Sequence, residues 1–203
     1  MKQYSQHWFK FATLGLLIVI VAAVVIQMNE PSTLKTIKQA TDFQLSALDG
    51  EQVSLQSTSG KARLIYFFYT SCPDVCYPTT LFMSKVQDIL AEKGDFPSQA
   101  ALISVTFDPK RDTVQTLQSF AAQYHPDFKG WKFLRGDEAA IKDLAYAYGS
   151  LVVKDEKGNF VTHSNTLALI DKKGFIRNYY NASDIKLTPK MIAADMQQLI
   201  DEK

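Results

Sequence analysis

The sequence predicts an α/β sandwich on a central mixed sheet, with an N-terminal hairpin and an inserted strand and helix, preceded by one transmembrane helix. Three observations predict it. Leu64 to Tyr69 is a continuous apolar and aromatic run, the pattern of a strand buried on both faces inside a sheet. Ala100 to Phe107 is a second such run, and a helix-periodic stretch separates the two, so they read as parallel neighbours joined by a helical crossover. Phe11 to Ile26 is apolar apart from Thr13, and with Trp8-Phe9 and Gln27-Met28 it approaches the roughly 20 residues that a spanning helix needs.

At the N-terminus, Lys2 and Lys10 precede the apolar run and Glu30 follows it, which by the positive-inside rule leaves residues 1–10 in the cytoplasm and the domain outside. Val24-Val25-Ile26-Gln27 offers no small-x-small cleavage site, and no cysteine stands nearby to take a lipid. A retained anchor over 11–28 is therefore expected rather than a removed signal peptide. Residues 29–40 are polar and without period and read as a tether, leaving 41–203 as the folded domain.

Within that domain, Phe43–Leu48 and Glu51–Leu55 flank Asp49-Gly50, a hairpin with a two-residue turn. After Leu64–Tyr69, Pro78 suits the first turn of a helix whose Leu81, Phe82, Val86, Ile89 and Leu90 recur at three- and four-residue spacing until Gly94. Beyond Ala100–Phe107, Asp112 with Gln115 forms a capping pattern for a helix over Thr113 to about Tyr124. Trp131–Leu134 reads as a short strand, and Gly136-Asp137 opens a helix carrying Ile141, Leu144, Ala145 and Tyr148 that stops at Gly149. Two hairpins follow, Leu151–Val153 with Phe160–Thr162 and Leu167–Ile170 with Phe175–Tyr180, and Thr188-Pro189 starts a last helix with Met191, Ile192, Met196 and Leu199 on its apolar face. That order fits a thioredoxin-like sandwich.

The 203 residues are 46% hydrophobic and 21% charged, enough to bury a core without a disulfide scaffold. Lys plus Arg total 22 against 21 for Asp plus Glu, and no basic block or aromatic-basic ladder points to nucleic acid. The only two cysteines, Cys72 and Cys76, fall at a strand-to-helix junction. Unpaired N–H groups and the positive end of the helix dipole there should favour thiolate, the form that attacks disulfides and binds metals. Three intervening residues allow the pair to close as a disulfide or to open slightly around an ion. Outside the cytoplasm it meets an oxidising compartment, so its redox state becomes part of its function.

Cys72-Pro73-Asp74-Val75-Cys76, followed by Pro78-Thr79-Thr80 and a helix, resembles the metal-binding loop of the Sco/SenC family, thioredoxin-fold proteins that handle copper for the binuclear site of cytochrome c oxidase. Ile103 to Thr113, with Asp108-Pro109-Lys110-Arg111-Asp112, is similar to that family's strand ending in Asp-Pro-x-x-Asp, and Thr162-His163-Ser164 falls where the family has its lone metal-binding histidine. One departure is Tyr77, a position often proline in the family, which alters loop stiffness more than the ligand set.

The resemblance covers roughly 40 to 200 and implies a metal set of Cys72, Cys76 and His163. It also implies Cys72 and Cys76 as a redox-active pair, copper as Cu(I)/Cu(II), and as partners the CuA-bearing oxidase subunit and a thiol reductant. The expected setting is the bacterial cytoplasmic membrane, single-pass, with the domain on the extracytoplasmic face. Spacing alone does not select His163, since a lone histidine beside a strand is more often structural. His7 lies on the wrong side of the apolar run, and His125 stands at a helix end where terminal carbonyls can engage it. Asp108 is a turn former or a group that tunes the metal.

Two thiolates suit Cu(I), and an imidazole with a thiolate supports Cu(II). The expected function is delivery of copper to the CuA site, or reduction of that site's cysteines. The thiols themselves leave three further readings open: a general thiol-disulfide oxidoreductase, a peroxidase with attacking and resolving thiols, and a plain disulfide staple.

Overall fold

The computed structural model describes residues 11–20, 34–156 and 160–202. Residues 11–20 are helical and exposed (α1), while the rest of the expected anchor, 21–28, and the predicted cytoplasmic stretch 1–10 lie outside the described residues. No helix among the described residues is long and apolar enough to cross a membrane. A separate compact unit begins at Leu34.

That unit opens with β1 (Lys38–Gln39), β2 (Gln44–Ala47) and β3 (Gln52–Ser54), and continues through β4 (Ala62–Phe68), α2 (Cys76–Glu92) and β5 (Ala100–Thr106). Next come α3 (Val114–Ala121), a 3-10 turn over Ala122–Tyr124, β6 (Trp131–Arg135) and α4 (Glu138–Ala147). It closes with β7 (Val152–Lys154), β8 (Phe160–His163), β9 (Thr166–Ile170), β10 (Phe175–Asn181) and α5 (Pro189–Asp201). Eight strands form one mixed sheet in the order β1-β10-β9-β4-β5-β6-β2-β3, and β7 with β8 forms a separate two-stranded sheet.

β4 is central, and its composition explains why. All seven residues are buried, as are all seven of β5, so neither strand can present a polar face and both must be covered on each side. β4 and β5 run parallel in the register Phe68↔Thr106, so the loops that follow them leave on one rim of the sheet. β9 lies antiparallel to β4 with Tyr66↔Leu167, which brings the start of β9, and the segment just before it, to that same rim. The topology therefore gathers residues 69–75, 107–113 and 163–165 at one edge before any side chain is considered.

Turn chemistry is as expected where glycine supplies a positive φ: Gly50 between β2 and β3 has φ 87°, and Gly94 beyond α2 has φ 82°. Three readings are corrected. Lys38–Gln39, within the predicted tether, pairs antiparallel with β10, because its backbone completes an otherwise open sheet edge although its side chains stay exposed. The buried face of α2 runs through Thr79, Thr80, Met83, Val86 and Leu90, leaving Leu81 exposed, and Met191 of α5 is likewise exposed. Asp112 does not cap α3: Thr113 does, its hydroxyl accepting from the Thr116 N–H.

Candidate metal centre

Cys72 hangs in the loop that leaves β4, and Cys76 is the first residue of α2. Both thiols are free and sealed from solvent, with Cys72 1% and Cys76 0% exposed. His163 ends β8, held opposite Val152, and is half-buried. The Tyr69 ring meets the imidazole edge-on at 5.4 Å and the Phe107 ring lies at 5.9 Å, so one aromatic residue from each of the two central loops walls the histidine. Cys72 Sγ and His163 Nε2 approach to 3.6 Å across 91 residues of sequence. The donor atoms of Cys72, Cys76 and His163 all lie within 4.8 Å of one another.

Those separations bear on whether an ion fits. Metal–sulfur and metal–nitrogen bonds of about 2.3 and 2.0 Å place the ligands of a three-coordinate ion roughly 3.5–4 Å apart. The group therefore needs only a sub-ångström contraction, and it leaves the ion an open position. Among the described residues it is the one group of His, Cys, Asp or Glu donors compact enough to hold a metal. His125 lies outside it, in a left-handed conformation at the end of the 3-10 turn, and His7 lies outside the described residues.

The loop is tied down by an acid whose role the capping reading missed. Asp112, fully buried, accepts from the Thr70 N–H at 3.1 Å, from the Thr70 hydroxyl at 2.5 Å and from the Thr106 hydroxyl. The Thr106 oxygen in turn accepts from the Asp108 N–H at 3.0 Å. One carboxylate thus clamps the exit of β4, two residues before Cys72, to the end of β5. Asp108, also buried, pairs with Arg111 and faces Lys154 Nζ at 3.9 Å, so it joins the loop after β5 to the strand opposite His163. Tyr77 is 44% exposed and packs edge-on against Phe120 at 5.3 Å.

Electrostatics overturn one expectation. A helix start should favour thiolate, yet burial, reinforced by the neighbouring Cys72 sulfur, pushes the Cys76 thiol up to about 12. The dipole offers about 0.3–1 kcal/mol, rising to ~2 in favourable buried geometry, and removing a thiolate from water costs more. Burial likewise raises Tyr69 to about 12 and lifts Tyr66 well above its ordinary value, both beside the thiols. The His163 imidazole is held below its usual pKa, again by burial, with the Ser164 backbone and Asp74 pulling the other way. A buried, protonated Cys76 thiol beside a neutral imidazole is electrically quiet, and a cation would reverse that preference by stabilising the thiolate.

The family model for SCO1/SenC matches residues 31–201. The chain belongs to that family. An SCO2-like protein of Rickettsia typhi is 34% identical over 150 residues, 71% of each chain. Among solved structures the SCO1/SenC fold recurs in BsSco, a member of the Sco family of cytochrome c oxidase assembly proteins in which a disulfide switch has been identified. Its TM-score is 0.71 at 28% identity, covering 83% of this chain and 98% of that one. ScoI of Bradyrhizobium japonicum, solved with copper bound, gives 0.64 at 32% identity over 79% and 99%. Sco structures with copper bound are thus neighbours of a chain whose own Cys-Cys-His group could hold a metal.

Proposed function

We propose that this SCO1/SenC protein is a membrane-anchored, extracytoplasmic copper carrier in cytochrome c oxidase assembly, with Cys72, Cys76 and His163 as the copper ligands. The observation that carries the reading is the convergence of two thiols and an imidazole within 4.8 Å at one rim of the sheet. Copper is cargo here: Cys72 and Cys76 give it a soft pair of donors, His163 adds the harder donor that Cu(II) prefers, and the open position admits a ligand from the CuA-bearing subunit. Loading must displace a proton from each thiol, so affinity falls as pH drops. The apolar run over 11–28, with Lys2 and Lys10 ahead of it and Glu30 beyond, supports an anchor in the bacterial cytoplasmic membrane with the domain outside.

A second reading has its own support. The thiols are free, adjacent and buried, and the similar BsSco has a disulfide switch. In that reading Cys72 and Cys76 close as a disulfide, passing two electrons and two protons to a disulfide of the CuA site, and a thiol reductant restores them. One equivalent of copper added to the reduced protein should be retained and, as Cu(II), give a strong sulfur-to-copper charge-transfer band. His163→Ala should weaken Cu(II) binding by at least ~10-fold while the disulfide still forms. A colourless protein that releases copper to a weak chelator would leave thiol exchange alone.

A further inference from the structure

A ligand histidine is ordinarily aimed by a hydrogen bond from its second ring nitrogen. His163 Nδ1 is buried and closes no well-formed hydrogen bond among the described residues. β8 itself pairs only with β7, outside the eight-stranded ladder, and the main sheet resumes only at Thr166 of β9. Ser164 is bonded to Leu151 through both its N–H (2.9 Å) and its hydroxyl (2.7 Å), but that ties the hairpin only to itself. Something else must set how far His163 reaches toward the sulfurs.

Two residues beyond His163 stands Asn165, and three beyond Cys76, one helical turn along α2, stands Thr79. The Thr79 hydroxyl donates to Asn165 Oδ1 at 3.1 Å. Thr79 is 2% and Asn165 9% exposed, so the bond is shielded from water. Asn165 is itself immobilised: its Nδ2 donates to Ser183 Oγ at 3.1 Å and its carbonyl accepts from the Ala182 N–H at 2.8 Å, both just past β10. The chain of contacts Cys76–Thr79–Asn165–His163 therefore joins the thiol-bearing helix to the imidazole-bearing segment across 86 residues of sequence, through one side-chain hydrogen bond.

Resting on the copper reading above, we infer that Asn165 is a positioning residue of the metal centre: its carboxamide, bonded to Thr79, sets the reach of His163 to Cys72 and Cys76. Losing the bond leaves the thiols where β4, α2 and the Asp112 clamp put them and frees only the third ligand. Cu(I), held by two sulfurs, is little affected, whereas Cu(II), which needs the imidazole, is weakened.

The test uses the full chain with Cu(I) and Cu(II) ions as probes, in Asn165→Ala, Thr79→Val, the double variant and Thr79→Ser. Asn165→Ala and Thr79→Val should each lower Cu(II) affinity ~10–100-fold and shift the charge-transfer band. Cu(I) affinity should change less than ~3-fold, the double variant should lose no more than either single one, and Thr79→Ser, which keeps the hydroxyl, should behave as the parent.

A copper-free readout separates this inference from the carrier reading. In the reduced protein, the nuclear Overhauser contact between the Cys72 methylene and the His163 ring, whose donor atoms are 3.6 Å apart, should weaken in Thr79→Val but not in Thr79→Ser. If the parent holds no copper yet this contact responds, the carrier reading falls and the positioning role stands. Unchanged Cu(II) binding and an unchanged contact in Thr79→Val would overturn the positioning role. So would parallel loss of Cu(I), Cu(II) and folding stability, which would mark the bond as merely structural. Should Asn165→Ala fail to fold, the Thr79 pair alone decides.

Discussion

The two arms of the metal centre are built differently. The thiol arm rises from β4, which is laddered to β5 on one side and β9 on the other, and continues into the 17-residue helix α2, with Asp112 fastening the exit in between. The imidazole arm rises from β7 and β8, a two-stranded sheet with no ladder to β4, and side chains help to anchor it: Asn165 to Thr79, and Lys154 to Glu138 and Asp108. Backbone ladders are cooperative and cannot be lost singly, whereas each side-chain bond is worth only about 1 kcal/mol. The difference teaches which ligands are permanent. On the proposed copper reading, the sulfurs, which serve every redox and metal state, belong to the frame, and the histidine, which serves Cu(II), hangs from a hairpin outside the main sheet and reaches that sheet only through the short segment into β9.

Three experiments bear on that contrast. The largest effect should come from the clamp on the thiol arm. Asp112→Ala strands the Thr70 N–H and the hydroxyls of Thr70 and Thr106 in a dry interior, and should cost roughly 3 kcal/mol or more of unfolding free energy in a urea titration. A loss below about 1 kcal/mol would put the thiol arm on the same footing as the other. Next is alkaline pH. The Cys76 thiol is raised from 9.0 to about 12 by folding, so the unfolded chain gives up its proton first as pH rises. The stability tied to the buried neutral thiol is whole below pH 9 and drains away toward 12, by about 1 kcal/mol per pH unit. Reduced, copper-free protein should therefore lose stability between pH 9 and 11 more steeply than its Cys76→Ser variant, and equal slopes would show that the thiol is hydrated. The smallest effect belongs to the imidazole arm. Lys154→Met removes the ties to Glu138 and Asp108, and because Lys154 and Glu138 are each about a quarter exposed, stability should move by no more than about 1 kcal/mol. Cu(II) affinity, read by chelator competition, should nevertheless fall several-fold. Glu138 is held below the usual glutamate range first by the Lys154 hydrogen bond and then by Lys110, so the parent's tie is present above that range and is lost on acidification through the depressed pKa.

The same contrast separates what was legible in the chain from what was not. β4 and β5 could be read because burial on both faces leaves only one kind of residue, α2 because its apolar residues recur at helical spacing even though its buried face runs elsewhere, and the turn at Asp49-Gly50 because its backbone demands glycine. Lys38–Gln39 could not, since two exposed polar residues become a strand only when an edge of β10 is there to receive them. Asp112 was misassigned because a nearby pattern of acid and glutamine imitates a cap, while its true partners, Thr70 and Thr106, are set by how β4 and β5 align. For His163, local pattern carried no signal at all: 91 residues of separation say nothing about 3.6 Å of distance, and only the likeness to a known family singled it out. Thr79 and Asn165 passed unnoticed for a related reason, as a threonine on a helix and an asparagine before a strand are ordinary until the topology sets them face to face.

Ser71, Pro73 and Asp74 stand in solvent while the sulfurs on either side of Asp74 do not. Both sulfurs are 1% exposed or less, so a partner's disulfide, which must touch a sulfur to exchange, needs that cover displaced first. Exchange with such a partner would then level off at high partner concentration, at a ceiling set by that displacement rather than by sulfur chemistry.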